Sequence, residues 1–510
     1  MKKHHILENI TIEKVGYEWI WLGRFHDGKK LIIKGWALPG MVCDLKVIKS
    51  YKDYAECHIV TIHSFDPMYH VDTIKCPHYI YSHNSLPPHK TWCGGCKWQI
   101  ASYEQQLELK KHIVIDSFRH HHNNLIVLPV IPSPTIRWYR NKIEYSFGKF
   151  ISWRWDDKQI LSDRSLGFHR QWMFGKIVDI DECFLVDERI NTLFQQIKTL
   201  LYSLHIPVYD QVQHQWMLRH LMVRQAKNTH EIMLIISAHP SIIWWKDTTW
   251  KNFQDILSSY VASYSDITTC VLILNDSLAD VVSTRDSQHS IISWTGKINE
   301  FLTIGEHKLM FDISPQSFFQ TNTHGAEVLY YTAIKLSKDA LGADYNKWII
   351  LDLYCGTWTI WLACITSWLG QQLLWIEETP SAVLDAYENA RRNVVTQPYQ
   401  FISGKVEKLL THKNWIIVMN DEQWESSYYV NDISLIIVDP PRSWLHRDVV
   451  DVLIDLKSIH PHLIVTYISC NPVTLARDMM LLSSSFSCDE IQPMDMFPHT
   501  HHIESIAILR

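Results

Sequence analysis

Over residues 1–65 apolar and polar positions alternate in short runs broken by glycine, as in KKLIIKGWALPGMVCDLKVIKS. Alternation with a period of two predicts half-buried strands, and several short ones in succession predict a small β-barrel. Residues 66–98 are rich in Cys, His and Pro and show no clear period. The stretch QIASYEQQLELKKHIVIDSFRH at 99–120 has a helical pattern, with Tyr103, Leu107, Ile113 and Phe118 along one side. From 135 to 310, strand-like runs such as IRWYRNKIEYSFG, HEIMLIISA and CVLILN alternate with helical ones, which predicts an α+β domain. From 325 onward the apolar strands WIILDLYCG, QLLWIEE, LIIVDPP and HLIVTYISC alternate with helical stretches such as PSAVLDAYENARRNV. That order predicts a parallel, doubly wound sheet. The fold class expected is therefore multidomain α/β, with units at 1–65, 66–320 and 321–510.

Composition narrows this picture little. A chain of 510 residues is too long for one hydrophobic core, and 46% apolar with 20% charged residues is ordinary for a globular protein. No long apolar run predicts a membrane span, and MKKHHILENITIEK has no apolar centre of the kind a signal peptide needs. We therefore expect a cytoplasmic protein with no membrane partner. In that reducing compartment the eleven cysteines are better read as metal ligands, nucleophiles or core residues than as disulfides. The net charge of −6 does not favour a nucleic-acid partner, although residues 1–34 carry seven Lys/Arg against four acids.

The chemistry gathers at predicted strand ends. ILDLYCGTWT puts Asp352 and Gly356 after one apolar strand, and LLWIEE puts Glu377 after the next. Ligands of open α/β sheets bind beyond the carboxyl ends of strands, and a carboxylate there can accept both hydroxyls of a ribose. A nucleoside cofactor fits this pair, and the absence of a G-x-G-x-x-G turn favours S-adenosylmethionine over a dinucleotide. IIVDPPR brings Asp439, Pro440, Pro441 and Arg442 to a third strand end. YISCNP brings Cys470 to a fourth. A lone cysteine is most often a core residue. Four polar or reactive residues at successive strand ends argue against that reading here.

Six blocks, in this order, carry a family resemblance: CGGCKWQ at 93–99, SFFQTN at 317–322, LDLYCG at 351–356, DPPR at 439–442, SCNPVTLARD at 469–478 and FPHTHHIES at 497–505. Together they closely resemble the RNA uridine-C5 methyltransferases that carry a TRAM domain and an iron–sulfur cluster, over nearly the whole chain. The resemblance implies a TRAM/OB-like barrel at 1–65, a central RNA-binding domain at 66–320 holding the cluster, and a Rossmann-like methyltransferase domain at 321–510. It implies that the helix within 99–125 packs on the methyltransferase domain. Cys470 would be the nucleophile and Glu504 the base, with His501 or His502 next in line. Gln320, Tyr354, Glu377 and Asp439 would contact S-adenosylmethionine or order the pocket. Cys76, Cys93, Cys96 and Cys183 would ligate a [4Fe–4S] cluster. From spacing alone a four-cysteine zinc site is equally good, and the long gap before Cys93 leaves Cys57 as a substitute for Cys76. The barrel and cluster together favour 23S ribosomal RNA over transfer RNA as partner, by analogy, and a monomer is expected.

One oddity of composition now has a place. There are 22 Trp and only 17 Gly, where average usage predicts about 36 Gly. Trp19, Trp21, Trp216, Trp358, Trp375 and Trp444 stand where the family has glycine or beside its motifs. A gene that reads UGA as glycine, translated with UGA as tryptophan, accounts for this; a decayed, inactive paralogue is the alternative. Decay would not single out glycine, and the catalytic motifs are intact. Two other functional classes are weaker. A non-catalytic RNA-binding paralogue would not need to keep Cys470 and Glu504. A methyltransferase acting on an exocyclic amine would need no cysteine.

Overall fold

The computed structural model describes the chain except residues 1–2, 18–20, 35–36, 70–75, 80–87, 120–123, 155–156, 171–172, 212, 216, 245–248, 285–286, 294, 345–348, 355–358, 368, 410, 414–415, 421–424, 430–431 and 443. Strands Ile6–Val15, Trp21–Arg24, Lys30–Lys34, Val42–Ser50 and Tyr54–Ser64 close a five-stranded barrel. The alternation seen in the sequence becomes its inside and outside: Leu31, Ile33, Cys43, Leu45, Val47, Ala55 and Cys57 fill the interior around Trp21. Lys30–Lys34 runs parallel to Tyr54–Ser64, and that pairing closes the barrel.

The central region is a seven-stranded sheet. From one edge to the other its strands are Gln288–Ser293, Ile267–Leu274, Ile232–Ala238, Leu218–Gln225, Lys142–Arg154, Asp157–Arg170 and Met173–Asp179. Helices Glu188–Ser203 and Thr249–Ser263 share a core with this sheet. A separate hairpin, Ile298–Ile304 with His307–Ile313, shares a core with both the central sheet and the helix Thr323–Leu341. A division at 320 thus falls inside continuous packing. The buried carboxylate of Glu300 fixes the hairpin by accepting from the backbone N–H groups of Lys227, Asn228 and Phe301.

The C-terminal sheet has eight strands in the order Tyr399–Ser403, Gln372–Glu377, Ile349–Leu353, Ile433–Val438, Ile464–Ser469, Glu504–Leu509, Glu490–Met494 and Ile126–Val127. The first five are parallel, and Glu504–Leu509 runs antiparallel to Ile464–Ser469. All five parallel strands therefore deliver their carboxyl ends to one edge. The antiparallel strand delivers its first residue, Glu504, to that same edge.

The helix expected within 99–125 spans Tyr103–Phe118. Ser102 caps it, and Gln105 returns a hydrogen bond to the Ser102 backbone, so residues 99–102 lie outside it. It wedges between two cores: Leu109 and Ile113 join the barrel interior, while Val114 and Phe118 join the C-terminal domain. Its polar residues grip the segment before Glu504. Lys110 Nζ donates to Asp495 Oδ1 at 2.5 Å and to the Phe497 carbonyl at 3.1 Å, with both ion-pair side chains fully buried. Gln106 accepts from the His499 backbone N–H at 2.8 Å.

Breaking a buried pair from one side leaves a charge with neither water nor partner, which costs about 3–5 kcal/mol. Lys110→Met should therefore lose stability of that order in urea unfolding. Lys110→Met combined with Asp495→Leu should recover most of it. A loss below about 1 kcal/mol in the single variant would show that water reaches the pair.

Candidate active site

The catalytic and cofactor residues expected from sequence fall in one cleft. A cavity of about 570 Å³ is lined by Gln320, Tyr354, Glu377, Asp439, Cys470 and Glu504. They come from six separate stretches of chain. The alignment of strand ends explains the meeting: Leu353 pairs with Ile376 on one side and Val438 on the other, and Val438 pairs with Tyr467. Gly356 and Trp358 lie outside the described residues. The cleft also contains residues that the sequence did not single out, among them Arg140, Phe318, Thr321, Lys405 and Glu407. Phe318 and Thr321 flank Gln320 within SFFQTN and could have been found there; nothing in the sequence pointed to Arg140.

The cleft concentrates negative charge. Burial pushes Asp439 up to about 7, and burial followed by the Asp439 carboxylate pushes Glu504 up to about 8. Asp352, a buried neighbour of two of the cleft carboxylates, is held far above the usual carboxylate range by burial and then by Asp439 and Glu377. Its Oδ1 is buried without a hydrogen-bond partner. Carboxylates crowded in low dielectric are costly to ionise unless a cation neutralises them. A positively charged nucleoside is thus a suitable guest, and Glu377 lies at the same cleft.

Cys470 follows the strand Ile464–Ser469 and precedes Asn471, which caps the helix Pro472–Leu482 by accepting from Val473 and Thr474. Burial, then Glu504 and Asp439, push its thiol up to about 12. Arg442 opposes this by hydrogen bonding to the sulfur. Arg442 is itself held from behind, its carbonyl accepting from Asn471 Nδ2 at 3.3 Å. Glu504 sits across the strand pair from Cys470, in the register set by Ser469 and Ser505.

The four expected ligand cysteines also meet. Cys76, Cys93, Cys96 and Cys183 line a second cavity of about 240 Å³, and all four are free thiols. Cys57 instead lies in the barrel interior, so Cys76 is the one placed with the others. Among the described residues no three Cys, His, Asp or Glu close on a point that could hold a single ion. His501 and His502 line this cavity and not the catalytic cleft. Burial drives both well below the ordinary imidazole range, His502 to about 3. As alternatives to Glu504 they face the wrong way.

Comparison with known proteins matches this geometry to a family. A family model described as tRNA (Uracil-5-)-methyltransferase matches residues 270–510. An RNA methyltransferase of Bacteroides thetaiotaomicron is 31% identical over 94% of this chain and 96% of its own length. The chain belongs to a family of RNA methyltransferases. An RNA methyltransferase of Clostridium acetobutylicum is 30% identical over 100% of this chain and 97% of its own. The tRNA (uracil-54, C5)-methyltransferase of Pyrococcus abyssi, solved with S-adenosyl-L-homocysteine, shares the fold: the TM-score is 0.67 at 23% identity, covering 98% of this chain and 99% of that one. No helix among the described residues of this RNA methyltransferase is long and apolar enough to cross a membrane.

The tryptophans in question divide. Trp19, Trp216 and Trp358 lie outside the described residues. Trp444 has φ = 115°, a left-handed conformation that favours glycine, and its indole is half exposed. Trp92 and Trp138 also have positive φ, at 70° and 55°. Trp21 is fully buried with Nε1 unsatisfied. Trp375 is fully buried and stacks on Phe401 at 4.5 Å, as a core residue does. Trp444→Gly should therefore raise stability by about 1–2 kcal/mol. Trp375→Gly should cost about 3–5 kcal/mol through the cavity it leaves. Thermal unfolding of the two variants checks both signs; a destabilised Trp444→Gly would remove the backbone reason for glycine there.

Proposed function

We propose that this enzyme methylates carbon 5 of a uridine in RNA, with Cys470 as covalent nucleophile and Glu504 as base. The observation that carries the reading is the meeting of a thiol, a carboxylate of raised affinity for protons and a set of cofactor-binding carboxylates in one cleft. Carbon 5 of uracil is a poor nucleophile until a thiolate adds to C6 and turns the ring into an enolate. Arg442 favours the thiolate by its charge and hydrogen bond. S-adenosylmethionine, held by Glu377, Asp439, Gln320 and Tyr354, supplies an electrophilic methyl group when bound. Glu504 then takes the C5 proton, the ring's C5=C6 double bond reforms, and Cys470 leaves as thiolate. The target base must leave its stack to reach a cleft this deep.

The barrel, by its likeness to the family's TRAM domain, would bind RNA beside the cleft. Cys76, Cys93, Cys96 and Cys183 would hold a [4Fe–4S] cluster that shapes the fold and positions RNA, since uridine methylation needs no redox step. The four cysteines line one cavity, which is what a shared metal group of either kind requires. We favour 23S ribosomal RNA as substrate on the analogy of barrel plus cluster. Transfer RNA is the second reading, favoured by the description of the matching family model. Mapping 5-methyluridine in both RNAs, with and without the gene, separates them.

Two experiments test the chemistry. Glu504→Gln keeps size and hydrogen bonding but loses basicity, so methylation should proceed and elimination should stall. An RNA–protein adduct that survives denaturation should accumulate only with S-adenosylmethionine present, and adding Cys470→Ala should abolish it. In wild type the decay of that adduct should speed up with pH until about 8, where Glu504 becomes the carboxylate, and then level off. Normal turnover by Glu504→Gln would assign the base elsewhere. Separately, protein purified without oxygen should be brown and carry about four irons per chain. Colourless protein with stoichiometric zinc would replace the cluster by a single ion.

A further inference from the structure

Arg140 is the feature of the cleft that the scheme above leaves unused. It lines both the catalytic cleft and the cysteine cavity, and so forms part of the wall between them. Three Lys or Arg residues line the cleft among the described residues: Arg140, Lys405 and Arg442. Lys405 lies 3.9 Å from Glu378 beside the cofactor carboxylates, and Arg442 serves Cys470. Arg140 makes no ion pair among the described residues, and its Nε is buried without an acceptor. A buried guanidinium N–H lacking an acceptor is costly, so a ligand that supplies one is favoured.

The backbone around Arg140 is held from three sides. Its N–H donates to the Leu185 carbonyl at 3.0 Å, two residues beyond Cys183. The neighbouring Tyr139 hydroxyl donates to the Pro498 carbonyl at 3.1 Å, in the segment leading to Glu504. The next residue, Asn141, donates through Nδ2 to the Gln320 carbonyl at 2.7 Å and through its backbone N–H to the Thr321 carbonyl at 2.9 Å. The position of Arg140 is therefore set by the cysteine loop, the base-bearing segment and the cofactor lip together. That is the rigidity asked of a group that must meet charge as it develops.

Addition of the Cys470 thiolate to C6 forms the S–C6 bond. The electrons of the C5=C6 double bond shift toward the C4 carbonyl, whose oxygen becomes an enolate. We propose that Arg140 is a third catalytic residue, donating to the C4 oxygen of the target uracil and stabilising that enolate. This rests on the covalent reading of the cleft. Nothing else need be consumed: the charge returns to C5 when the methyl group is taken and to Cys470 when the C5 proton leaves.

The test reads addition and methyl transfer without elimination. RNA carrying 5-fluorouridine at the target traps the adduct, because fluorine cannot leave C5 as a proton does. Arg140→Met should slow trapping by about 10²- to 10³-fold in single turnover, with S-adenosylhomocysteine affinity and iron content within about twofold of wild type. Arg140→Lys should restore part of the rate. Trapping within about threefold of wild type would overturn the assignment, as would loss of iron in proportion to loss of rate, which would tie Arg140 to the cysteine cavity alone. A second measurement needs no variant. Wild type acting on 4-thiouridine RNA, whose C4 sulfur is a poorer acceptor, should be slowed about tenfold or more, and equal rates would again reject the proposal. Absence of any trapped adduct in wild type would instead remove the covalent reading itself.

Discussion

The Lys110–Asp495 ion pair is the constraint on which the site depends. It is fully buried, and it joins a helix near the N-terminal third of the chain to the segment that carries Glu504. Around it Gln106 accepts from the His499 backbone, and Lys97 and Trp98 donate their backbone N–H groups to the His499 carbonyl. Asn322 adds a bond to the Met496 carbonyl, and Tyr139 one to the Pro498 carbonyl. A segment without regular structure is thereby given five anchors from four parts of the chain. Its reward is a Glu504 placed within reach of Cys470, where a free loop would sample many positions.

That placement creates the electrostatic character of the cleft. Asp352, Asp439 and Glu504 are brought together by strand ends that the sheet cannot separate, and burial makes their joint ionisation expensive. The fold tolerates this because cations complete the site: Arg442 beside the thiol, Arg140 in the wall shared with the cysteine cavity and, when bound, a sulfonium. Low dielectric strengthens each of these attractions as much as it penalises the bare carboxylates. A site with this balance favours a guest of positive charge before it does any chemistry.

The cysteine cavity and the catalytic cleft share a wall, and the segment 497–504 contributes to both. Phe497 and Glu504 face the cleft, while Thr500, His501 and His502 face the cysteines. Whatever fills the cysteine cavity therefore bears on the base through a few residues of backbone.

Much of this was legible without coordinates. Period-two alternation marked the barrel, and apolar runs ending in Asp352, Glu377, Asp439 and Cys470 marked the parallel strands and their common edge, because a buried parallel strand has to be apolar until it meets its ligand. The helix from Tyr103 was visible, but its important face was not. Nothing local marks Gln106 and Lys110, since their partners His499 and Asp495 lie 393 and 385 positions away. Spacing left Cys57 and Cys76 as rivals, and only the closed barrel, which takes Cys57 inside, decided between them. Arg140 carried no signal at all, because its significance lies in which two cavities it separates. The sequence by itself determined the elements and the reactive groups at their ends, which depend on neighbours a few residues apart. Tertiary structure alone decided which polar groups are buried and whom they face, because that depends on contacts between segments whose separation along the chain no local pattern records.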